Sequence, residues 1–486
     1  MFVNRMPRWE VLDEGGLRTI EGGWRHLVAD IGVRFDHPRA QQLFAAAGQK
    51  VEDELVRFDP EFLLEMAALA PAQFGVAARN PARSIVVGGD HMVFAATNGP
   101  PFILEGDERR EATMADVEKL LMLAQMTDAL DTPGRNVVEP NDVPLDVRHL
   151  VRSLAAIRLT DRVWSGEVSS ASKADDCLRL AEIAHGGRLL VDGNPVLFAN
   201  VNVNSPLHFD ASMLEGLLGY AGAGQAIIVT PFLLMGAMSP VTVAAALAQQ
   251  TAEALAGVAL VQLVRPGTPS VLGSFLSSTD MKSGSPSFGG PESAIGLAAS
   301  GQIARRLGLP WRAGGGTLTA SHGVDYQSGY ESFNTQCAAF LAGANVCWQS
   351  AGWLEGGLSV SLEKFVADCE VLDLLLHQFS PLQVDEPALA ASAYDEVGSA
   401  GHFFGVSHTL EHFRDCFWRP TVATTDNYDR WKSRGSATYA ERAGRRCEEL
   451  LEGYTAPPLE AGVEDELWAF VERRAGELGD PVRRGA

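Results

Sequence analysis

Between Arg162 and His377, short apolar runs alternate with longer segments in which apolar residues recur at helical spacing. Each short run predicts a buried strand, and each longer segment predicts a helix that packs on one face. The predicted strands are Arg162–Val168, Leu197–Asn204, Ala226–Pro231, Ala259–Val264, Pro310–Gly314 and Ala344–Gln349. The predicted helices are Lys173–His185, Ser212–Ala221, Pro240–Ala256, Glu292–Leu307, Tyr330–Leu341 and Leu362–His377. This repetition predicts an α/β fold with a parallel sheet, and it favours a closed (β/α)8 barrel of the TIM type over an open sheet.

The two ends of the chain show different patterns. N-terminal helices are predicted at Leu17–Ile31, Pro38–Ala47 and Pro60–Leu69, followed by a hairpin of Ser84–Gly89 and His91–Ala96. The charged segment from Asn427 onward is predicted to be helical. The expected organisation is therefore an N-terminal α-rich extension with a short hairpin at residues 1–120, a barrel at 121–426 that carries the catalytic site, and a C-terminal helical tail at 427–486.

Composition narrows the class of protein. Hydrophobic residues make up 46% of the chain and charged residues 21%, which is typical of a soluble globular protein. No uninterrupted apolar run reaches ~18 residues, and the first residues lack the apolar stretch of a secretion signal, so the expected location is cytoplasmic, with no membrane partner. The formal net charge of −22, without a stripe of Lys or Arg, argues against binding to nucleic acid.

Motifs for common cofactors are missing. The six cysteines stand far apart without a CxxC pair, so neither a disulfide nor a zinc site is predicted, and no metal is expected. The chain has no GxxxxGK[ST] motif, and its glycine groups lack the GxGxxG spacing, so ATP and NAD are disfavoured.

Polar side chains concentrate on the loops that follow the last two predicted strands, in residues 314–357. They are Ser321, His322, Asp325, Gln327, Tyr330, Glu331, Gln349, Trp353 and Glu355. Because the carboxyl ends of the strands of a parallel barrel meet at one rim, we expect these side chains to surround a site there.

Two other loops allow two interpretations each. Asn202 and Asn204 alternate with valines at a strand end and so share a face, where they would bind a polar ligand or only cap the next helix. Residues 277–292 form a long loop of small polar residues. A glycine there, such as Gly289, would let the backbone approach a flat ligand closely, or it would only start the next helix.

Three histidines lie in GHFFGVSHTLEHFRDCFWRP, residues 401–420. His408 and His412 are one helical turn apart, but HTLEH is not the HExxH motif of a zinc site, and a solvated helix face is favoured. His402 precedes two phenylalanines in a loop after the last predicted strand, which makes it a candidate proton or hydrogen-bond donor.

Aromatic residues gather near the same loops. They are Trp164, Phe288, Tyr330, Trp348, Trp353, Phe403 and Phe404. Aromatic faces attract a quaternary ammonium ion through cation–π interaction, most strongly in a dry site. Any one of these rings alone is more typical of a core, but several together indicate a cage.

Several ordered motifs occur together in this chain. They are NGPPF (Asn98–Phe102), SHGVDYQSGYES (Ser321–Ser332), LAGANVCWQSAGWLEGG (Leu341–Gly357) and GHFFGVSHTLEHFRDCFWRP (Gly401–Pro420). In these motifs the sequence resembles the trimethylamine methyltransferase (MttB) family. The likeness runs over nearly the whole chain, from GVRFDHP (Gly32–Pro38) to NYDRWKSRG (Asn427–Gly435).

The resemblance implies a (β/α)8 enzyme that demethylates a methylated amine and passes the methyl group to the Co(I) cobamide of a separate corrinoid protein. No tightly bound cofactor is then expected, and the partners are the corrinoid protein and a small quaternary amine, with a homo-oligomer left open. The founding members carry pyrrolysine, whereas the corresponding loop, Ser321–Val324, holds ordinary residues. The resemblance therefore points to the branch that acts on quaternary amines such as glycine betaine.

Three alternatives remain at this point. One is a trimethylamine methyltransferase, and another is a non-catalytic betaine- or methylamine-binding protein on the same barrel. The third, a zinc-dependent methyltransferase, is disfavoured by the lack of paired cysteines.

The resemblance and the loop positions together suggest residue roles. The expected catalytic residues are Glu355, Asp325 and His402, and the expected substrate-binding residues are Asn204, Gln327, Tyr330, Phe404 and Trp164. The expected contacts to the cobamide are His322, Gly289 and Gly316. The alternative for Glu355 and His402 is structural, in which Glu355 caps loop amides and His402 packs in the rim.

Overall fold

The computed structural model describes residues 1–484 and contains a curled sheet of seven parallel strands. In hydrogen-bonding order the strands are Trp164–Ser165, Leu197–Val203, Ala226–Pro231, Ser270–Gly273, Trp311–Gly314, Val346–Trp348 and His91–Phe94. Every neighbouring pair in this order is parallel. The predicted α/β architecture with a parallel sheet is thus confirmed, in the form of a curled sheet.

The two outer strands of the curled sheet approach one common segment, residues 131–134. On one side, the Asp131 amide donates to the Phe94 carbonyl at 2.8 Å, and Ala95 forms an isolated parallel bridge with Thr132. On the other side, the Ser165 amide donates to the Gly134 carbonyl at 3.1 Å. Segment 131–134 therefore links the two edges of the sheet without being a regular strand.

Helices lie between successive strands and cover the outer face of the sheet. They are Arg148–Leu159, Ala171–Ala184, Ala211–Gly222, Val243–Val264, Pro291–Arg306, Tyr326–Ala342 and Leu362–Gln378, with Met114–Met126 before segment 131–134. Proline at a first turn and polar N-caps explain several of their starts. For example, Asp210 accepts from the Met213 amide at 3.0 Å.

The prediction of a strand at Ala259–Val264 is wrong. These residues are the last two turns of the helix Val243–Val264, and the strand that follows is Ser270–Gly273. The helix is apolar on all sides because it is buried on nearly all sides, so the sequence lacks the polar face that distinguishes a helix from a strand. It is long and apolar enough to cross a membrane, but 83% of its most apolar window is buried inside the protein, as in a core helix.

The N-terminal part combines helices with small sheets. The helices are Glu14–His26, which continues as a π-helical turn at Leu27–Ile31, Pro38–Ala46 and Pro60–Leu69. The predicted hairpin is present as Ile85–Gly88 and His91–Phe94. Its second strand also belongs to the curled sheet, next to Val346–Trp348. The domain boundaries at residues 120 and 426 stay predictions, with one strand of the sheet on the N-terminal side of the first.

Short strands outside the curled sheet pair among themselves or extend its edge. The edge strands are Phe2–Val3 and Gln73–Val76, and the separate strands are Val33–Phe35, Lys50–Glu52, Leu55–Arg57, His208–Phe209, Leu190–Val191, Asn194–Pro195, Leu233–Met235, Leu276–Thr279, Pro286–Ser287, Phe102–Glu105, Glu108–Glu111, Trp353–Leu354 and Ser359–Val360. Several of them directly follow strands of the curled sheet, so they build a second layer above its carboxyl end.

The C-terminal helices pack against the outside of the sheet's helical layer. Tyr439–Glu452 packs on Leu362–Gln378, and Val463–Glu477 packs on Arg148–Leu159 and Ala171–Ala184. The connecting region has four short helices, Glu386–Leu389, Ala391–Val397, Ser407–His412 and Tyr428–Ser433. The tail is therefore helical, as predicted, over most of its described residues.

A candidate substrate site at the carboxyl end of the curled sheet

The inside of the curled sheet is apolar at its base and becomes polar toward the carboxyl ends of the strands. One buried cluster joins side chains from five of the seven strands of the curled sheet, represented by Val93, Phe198, Ile228, Val271 and Trp348. Further along the strands lie Asn200, Thr230, Arg312 and Gln349, all buried. The Thr230 hydroxyl donates to Asn200 Oδ1 at 2.7 Å, so neighbouring strands are linked by polar side chains at this level.

Arg312 is the central charged group of this polar layer. Its Nη1 donates to the Ser274 carbonyl and its Nη2 to Gln349 Oε1, both at 3.0 Å. The guanidinium carbon lies 5.5 Å from the ring centre of Phe275 and 5.8 Å from that of Trp348. Within residues 1–484, no carboxylate comes within 4.0 Å of it, and Nε has no hydrogen-bond partner. Burial lowers the pKa of Arg312 to about 9, which still leaves it charged at neutral pH.

A buried cation without a carboxylate is an unusual arrangement, because desolvation costs several kcal/mol that only a close counter-ion offsets. Neutral oxygens and aromatic faces compensate only part of that cost. An anionic group placed beside Arg312 would offset the remaining cost.

Other polar atoms near the same level also lack partners. Among the described residues, these buried atoms without a hydrogen-bond partner include Thr97 Oγ1, Asn98 Oδ1, Ser165 Oγ, Trp348 Nε1 and Trp353 Nε1. Most buried polar atoms in proteins are hydrogen-bonded, and exceptions call for a ligand or an ordered water. These atoms lie at the ends of several strands or in the loops after them. The unused hydrogen-bonding groups are therefore found toward the carboxyl end of the curled sheet.

An aromatic cluster lies beside Arg312. Phe275 is in contact with Phe232, Phe288 and Trp353, with ring centres 4.7, 5.5 and 6.0 Å away, and Phe288 and Trp353 are 5.9 Å apart. Phe275, Phe288 and Trp353 are buried. Phe275 joins this cluster to Arg312, and aromatic faces attract a quaternary ammonium ion.

On the opposite side of the site, Glu167 lies between two arginines. Its Oε2 is 2.8 Å from Arg152 Nη2, and its Oε1 is 3.5 Å from Arg135 Nη1. Burial by itself raises the pKa of Glu167, but the two guanidinium groups and the Val168 amide outweigh burial and hold it well below the ordinary range. The second arm of Arg152 binds Glu139 at 2.6 Å. This network keeps Glu167 ionised, and arginines occupy the carboxylates of both Glu167 and Glu139.

The structure places Glu355 at the rim, where its carboxylate is already occupied. It forms an ion pair with Arg109, and it accepts from the Ser359 hydroxyl at 2.5 Å. The side chain is 18% exposed, and its backbone has a positive φ of 53°. Glu355 therefore joins its own loop to the strand Glu108–Glu111, and a catalytic role for it stays a prediction.

Asp325, Gln327 and Tyr330 all belong to the start of the helix Tyr326–Ala342. Asp325 is its N-cap and accepts from the Ser328 amide at 2.8 Å and from the Ser321 hydroxyl at 2.9 Å. Gln327 Nε2 donates to Glu331 Oε1 at 3.0 Å, and Tyr330 is exposed, 5.7 Å from the ring of Tyr326. The structure thus groups these residues at the rim, with Asp325 bound to helix and loop groups.

The two glycines assigned to the cobamide are packed against protein. A side chain at Gly289, where φ is 83°, would come within 2.3 Å of Glu331 Cβ, and one at Gly316 would come within 2.2 Å of the Gln349 carbonyl. His322 is exposed on the loop between Gly316 and Asp325. Close packing of the chain on itself explains both glycines, and their role toward a cofactor stays a prediction.

Trp164 and Asn204 differ in exposure. Trp164 is buried in the first strand of the sheet order, whereas Asn204 is exposed beyond the end of its strand, with Oδ1 accepting from the Asp210 amide at 3.2 Å. Asn202, on the same face as Asn200, is exposed and accepts from Asn200 Nδ2 at 3.0 Å. The exposure of Asn202 indicates that this side of the site is open to solvent.

His402 and Phe404 lie in the segment 381–417, which is attached to the opposite end of the sheet. Phe379, just before this segment, packs on Phe340 in the last turn of a helix that begins at the rim, with ring centres 5.0 Å apart. Just after it, Trp418 Nε1 donates to Asp373 Oδ2 at 2.7 Å. Phe404 is 85% exposed, and its ring lies next to the ring of His402. The structure does not bring these two residues together with the rim residues.

Two buried groups were missed by reasoning from the sequence. Arg312 stands in the middle of a correctly predicted buried strand, and a charged residue at such a position was the available signal. The other is the ion pair of Lys364 and Asp368, which are one turn apart in the helix Leu362–Gln378 and fully buried. For metals, no group of three or more His, Cys, Asp or Glu side chains within residues 1–484 is placed to hold an ion.

A polar layer at the carboxyl ends of parallel strands, with aromatic side chains and a buried cation beside it, lies where α/β enzymes place small-molecule sites. The sequence profile of the trimethylamine methyltransferase (MTTB) family matches residues 1–479. The chain belongs to this family, which confirms the resemblance seen in its motifs.

Individual relatives agree with this membership. The chain is 37% identical over 476 residues to "Glycine betaine methyltransferase" of Desulfitobacterium hafniense (strain Y51), covering 98% of this chain and 99% of the relative. It is 26% identical over 483 residues to "Proline betaine:corrinoid methyltransferase" of Eubacterium limosum, covering 96% and 98%. It is 27% identical over 454 residues to "Trimethylamine methyltransferase MttB" of Desulfitobacterium hafniense (strain DSM 10664 / DCB-2), covering 92% and 90%.

Among solved structures, the monomethylamine methyltransferase (MtmB) of Methanosarcina barkeri matches with a TM-score of 0.38 at 10% identity, covering 92% of this chain and 89% of that one. The hydroxylamine complex of MtmB matches with the same TM-score and identity. Both TM-scores are low, and the fold is therefore defined by the strand pairing of this chain.

Proposed function

We propose that this protein is a cytoplasmic methyltransferase that removes a methyl group from a small zwitterionic quaternary amine of the glycine betaine class. The acceptor is the Co(I) cobamide of a separate corrinoid protein. The observation that carries the proposal is Arg312, a buried cation with no carboxylate within 4.0 Å among the described residues. The names of two relatives, a glycine betaine methyltransferase and a proline betaine:corrinoid methyltransferase, support the same substrate class.

The proposed substrate has a carboxylate at one end and a trimethylammonium group at the other. Arginine is the side chain best suited to hold a carboxylate, because its planar fork donates two parallel hydrogen bonds. The ammonium end would lie against the aromatic cluster of Phe232, Phe275, Phe288 and Trp353, which holds a cation without adding a negative charge.

The absence of a free carboxylate at the centre of the site suits the chemistry. A quaternary nitrogen loses its positive charge when the methyl group leaves as part of the transfer, so a nearby carboxylate would stabilise the substrate more than the transition state. Glu355 is bound to Arg109, Glu167 to Arg152 and Asp325 to its helix N-terminus. The chain's own contribution is then to bind and orient the amine and to exclude water around it.

The cobamide would supply the nucleophile that takes the methyl group, so that no protein nucleophile is needed. Thr97, Asn98 and Ser165 each have an unused buried polar atom at the ends of strands, and Asn202 faces an opening. Of these groups, the exposed Asn202 is accessible to a flat, polar-edged molecule presented from outside by a partner, and no tightly bound cofactor is proposed.

We also propose that the curled sheet is a complete (β/α)8 barrel, with segment 131–134 as the eighth strand. The hydrogen bonds from Asp131 to Phe94 and from Ser165 to Gly134 support this reading. A crystal structure in which segment 131–134 stands apart from either neighbour would contradict it.

One experiment distinguishes the proposed function from two alternatives, a trimethylamine methyltransferase and a betaine-binding protein. The purified chain is incubated with Co(I) cobalamin and either glycine betaine or trimethylamine, and the corrinoid spectrum is followed. We expect methylcobalamin and dimethylglycine with glycine betaine, and no reaction with trimethylamine, because trimethylamine offers nothing to Arg312. Turnover of trimethylamine alone would contradict the proposal. Calorimetric binding of betaine without transfer, even with the cognate corrinoid protein, would indicate a binding protein.

A further inference from the structure

A cavity of about 400 Å³, open to solvent, lies in the C-terminal part of the chain. It is lined by the segment after Pro420, the short helix Tyr428–Ser433 and the helix Tyr439–Glu452. The last of these packs on the outside of Leu362–Gln378, so the cavity is separated from the inside of the curled sheet by a helix. Its volume is in the range of sites that hold small molecules.

The lining of this cavity is cationic in a chain with a net charge of −22. Four arginines contribute to it, against two carboxylates, and both carboxylates are already engaged. Asp426 binds Arg434 at 2.9 Å, and Glu449 binds Arg446 at 2.9 Å. Over the described part of the chain, no carboxylate lies within 4.0 Å of the remaining two, Arg442 and Arg445.

Arg442 is held in place by backbone oxygens. Its Nε donates to the Val422 carbonyl at 2.7 Å and its Nη1 to the Ala437 carbonyl at 2.6 Å. The guanidinium group is therefore fixed before any ligand arrives, with Nη2 left for an acceptor. Preorganised donors bind an anion more tightly than mobile ones because less side-chain entropy is lost.

A flat aromatic side chain completes the lining. Trp431 lies half-buried in the cavity wall, and its Nε1 donates to the same Ala437 carbonyl at 3.3 Å, which fixes the orientation of the indole ring. An indole face is a platform on which a heterocyclic base stacks, with little dependence on which base it is.

We propose that this cavity binds a small phosphate-bearing molecule with a flat ring, of the nucleotide class. Arg442 and Arg445 would neutralise the phosphate, which carries close to two charges at neutral pH, and Trp431 would stack on the ring. A lone carboxylate would use only one of the two unpaired cations. A long polyanion is disfavoured by the acidic surface of the rest of the chain.

The test is equilibrium dialysis of the full-length protein with three probes: AMP, adenosine and inorganic phosphate. We expect AMP to bind, adenosine to bind much more weakly because it lacks the phosphate, and phosphate to bind weakly because it lacks the ring. Arg445→Gln should weaken AMP binding by roughly tenfold, since it removes one charged hydrogen-bond donor. The matched control is Arg473→Gln, an exposed arginine on another helix, which should leave AMP binding unchanged.

A second variant separates the ring from the charge. Trp431→Leu should weaken AMP binding severalfold and leave phosphate binding unchanged, and melting temperatures of both variants verify that they fold. Absence of AMP binding by the folded wild-type protein would overturn the proposal, as would equal losses in Arg445→Gln and Arg473→Gln. Because the measurement is of binding alone, its outcome is independent of the methyl transfer proposed for the other site.

Discussion

Two fully buried cations in this protein, Arg312 and Lys364, have opposite surroundings. Lys364 forms an ion pair with Asp368 and donates to the Ser332 hydroxyl at 2.9 Å. Within residues 1–484, Arg312 meets neutral oxygens and aromatic rings and no carboxylate within 4.0 Å. A buried cation with a complete set of partners is part of the framework, whereas the cation without a counter-ion is the one that the proposed function assigns to the substrate carboxylate.

The ion pair of Lys364 and Asp368 also helps to position Arg312. Asp368 Oδ2 accepts from the Thr317 hydroxyl at 2.8 Å and from the Gly352 amide at 2.7 Å, so it joins the loops after the last two predicted strands. The Thr317 amide donates to the Gln349 carbonyl at 2.8 Å. Gln349, held at a positive φ of 58°, in turn accepts from Arg312. Lys364 and Asp368 therefore act on the site through the position of Gln349.

The largest effect is expected from removing one member of the framework pair. Lys364→Met leaves Asp368 buried without a cation, which should lower the free energy of unfolding by about 3–5 kcal/mol. The double variant Lys364→Met with Asp368→Leu removes both charges and should recover much of that loss. Urea unfolding measured by circular dichroism tests both. A double variant less stable than the single one would show that the pair is more than two mutually compensating charges.

Replacing Arg312 should affect activity more than stability, whereas replacing Lys364 should mainly affect stability. Arg312→Met should reduce kcat/KM for glycine betaine by roughly 10²–10³-fold, because it removes the partner of the substrate carboxylate. The free energy of unfolding should change by no more than about 2 kcal/mol, since two neutral acceptors lose a donor but no buried carboxylate is left unpaired.

A substrate without a carboxylate sharpens this test. Choline is a quaternary amine with a hydroxyl group in place of the carboxylate, so the wild-type protein should discriminate strongly against it. Arg312→Met should lose most of that discrimination, and Arg312→Lys should keep part of it as a point charge without the fork. Equal loss of activity on both substrates in Arg312→Met would instead assign Arg312 to the framework.

A smaller effect, dependent on pH, is expected at Glu167. Its folded-state pKa lies below that of the unfolded chain, so its stabilising contribution is present above the ordinary glutamate pKa of about 4.3 and is lost as pH falls toward the folded value. Glu167→Gln should therefore be less stable than wild type at pH 7, by about 1.5–3 kcal/mol, and the difference should shrink below pH 4. Thermal melts across pH 3–7, with the exposed Glu448→Gln as control, measure it. A difference that grows on acidification would contradict the assignment.

The sequence predicted the strands better than the site. Ala226–Pro231 was predicted with the bounds that the structure shows, because a short apolar run between polar turns has one simple interpretation. The Val243–Val264 helix was misread at its end because burial on every side removes its periodicity. Arg312 was missed because convergence of side chains from different strands depends on register and curl, which the local pattern does not encode. The loop residues were correctly expected at the rim, but whether a carboxylate there is free depends on distant partners such as Arg109.

The smallest effect is expected at the rim, where Glu355 and Arg109 form a partly exposed ion pair. Such pairs contribute about 0–1 kcal/mol, and if the role of Glu355 is to hold its loop, Glu355→Gln and Arg109→Gln should reduce activity to a similar and small extent. If Glu355 instead contacts the substrate, Glu355→Gln should lower kcat much more than Arg109→Gln does. His402→Ala is the matched control from the opposite end of the sheet and should leave kcat and KM unchanged. Arg109 pairs with Glu355 and also lies over the ring of Phe102, 4.5 Å from its centre, so kcat and KM for the three variants are compared together with their melting temperatures to distinguish a structural carboxylate from a catalytic one. A loss of kcat in His402→Ala at unchanged melting temperature would show that segment 381–417 takes part in the reaction. That result would contradict its position at the opposite end of the sheet, which rests on the contacts at Asp373 and Phe340.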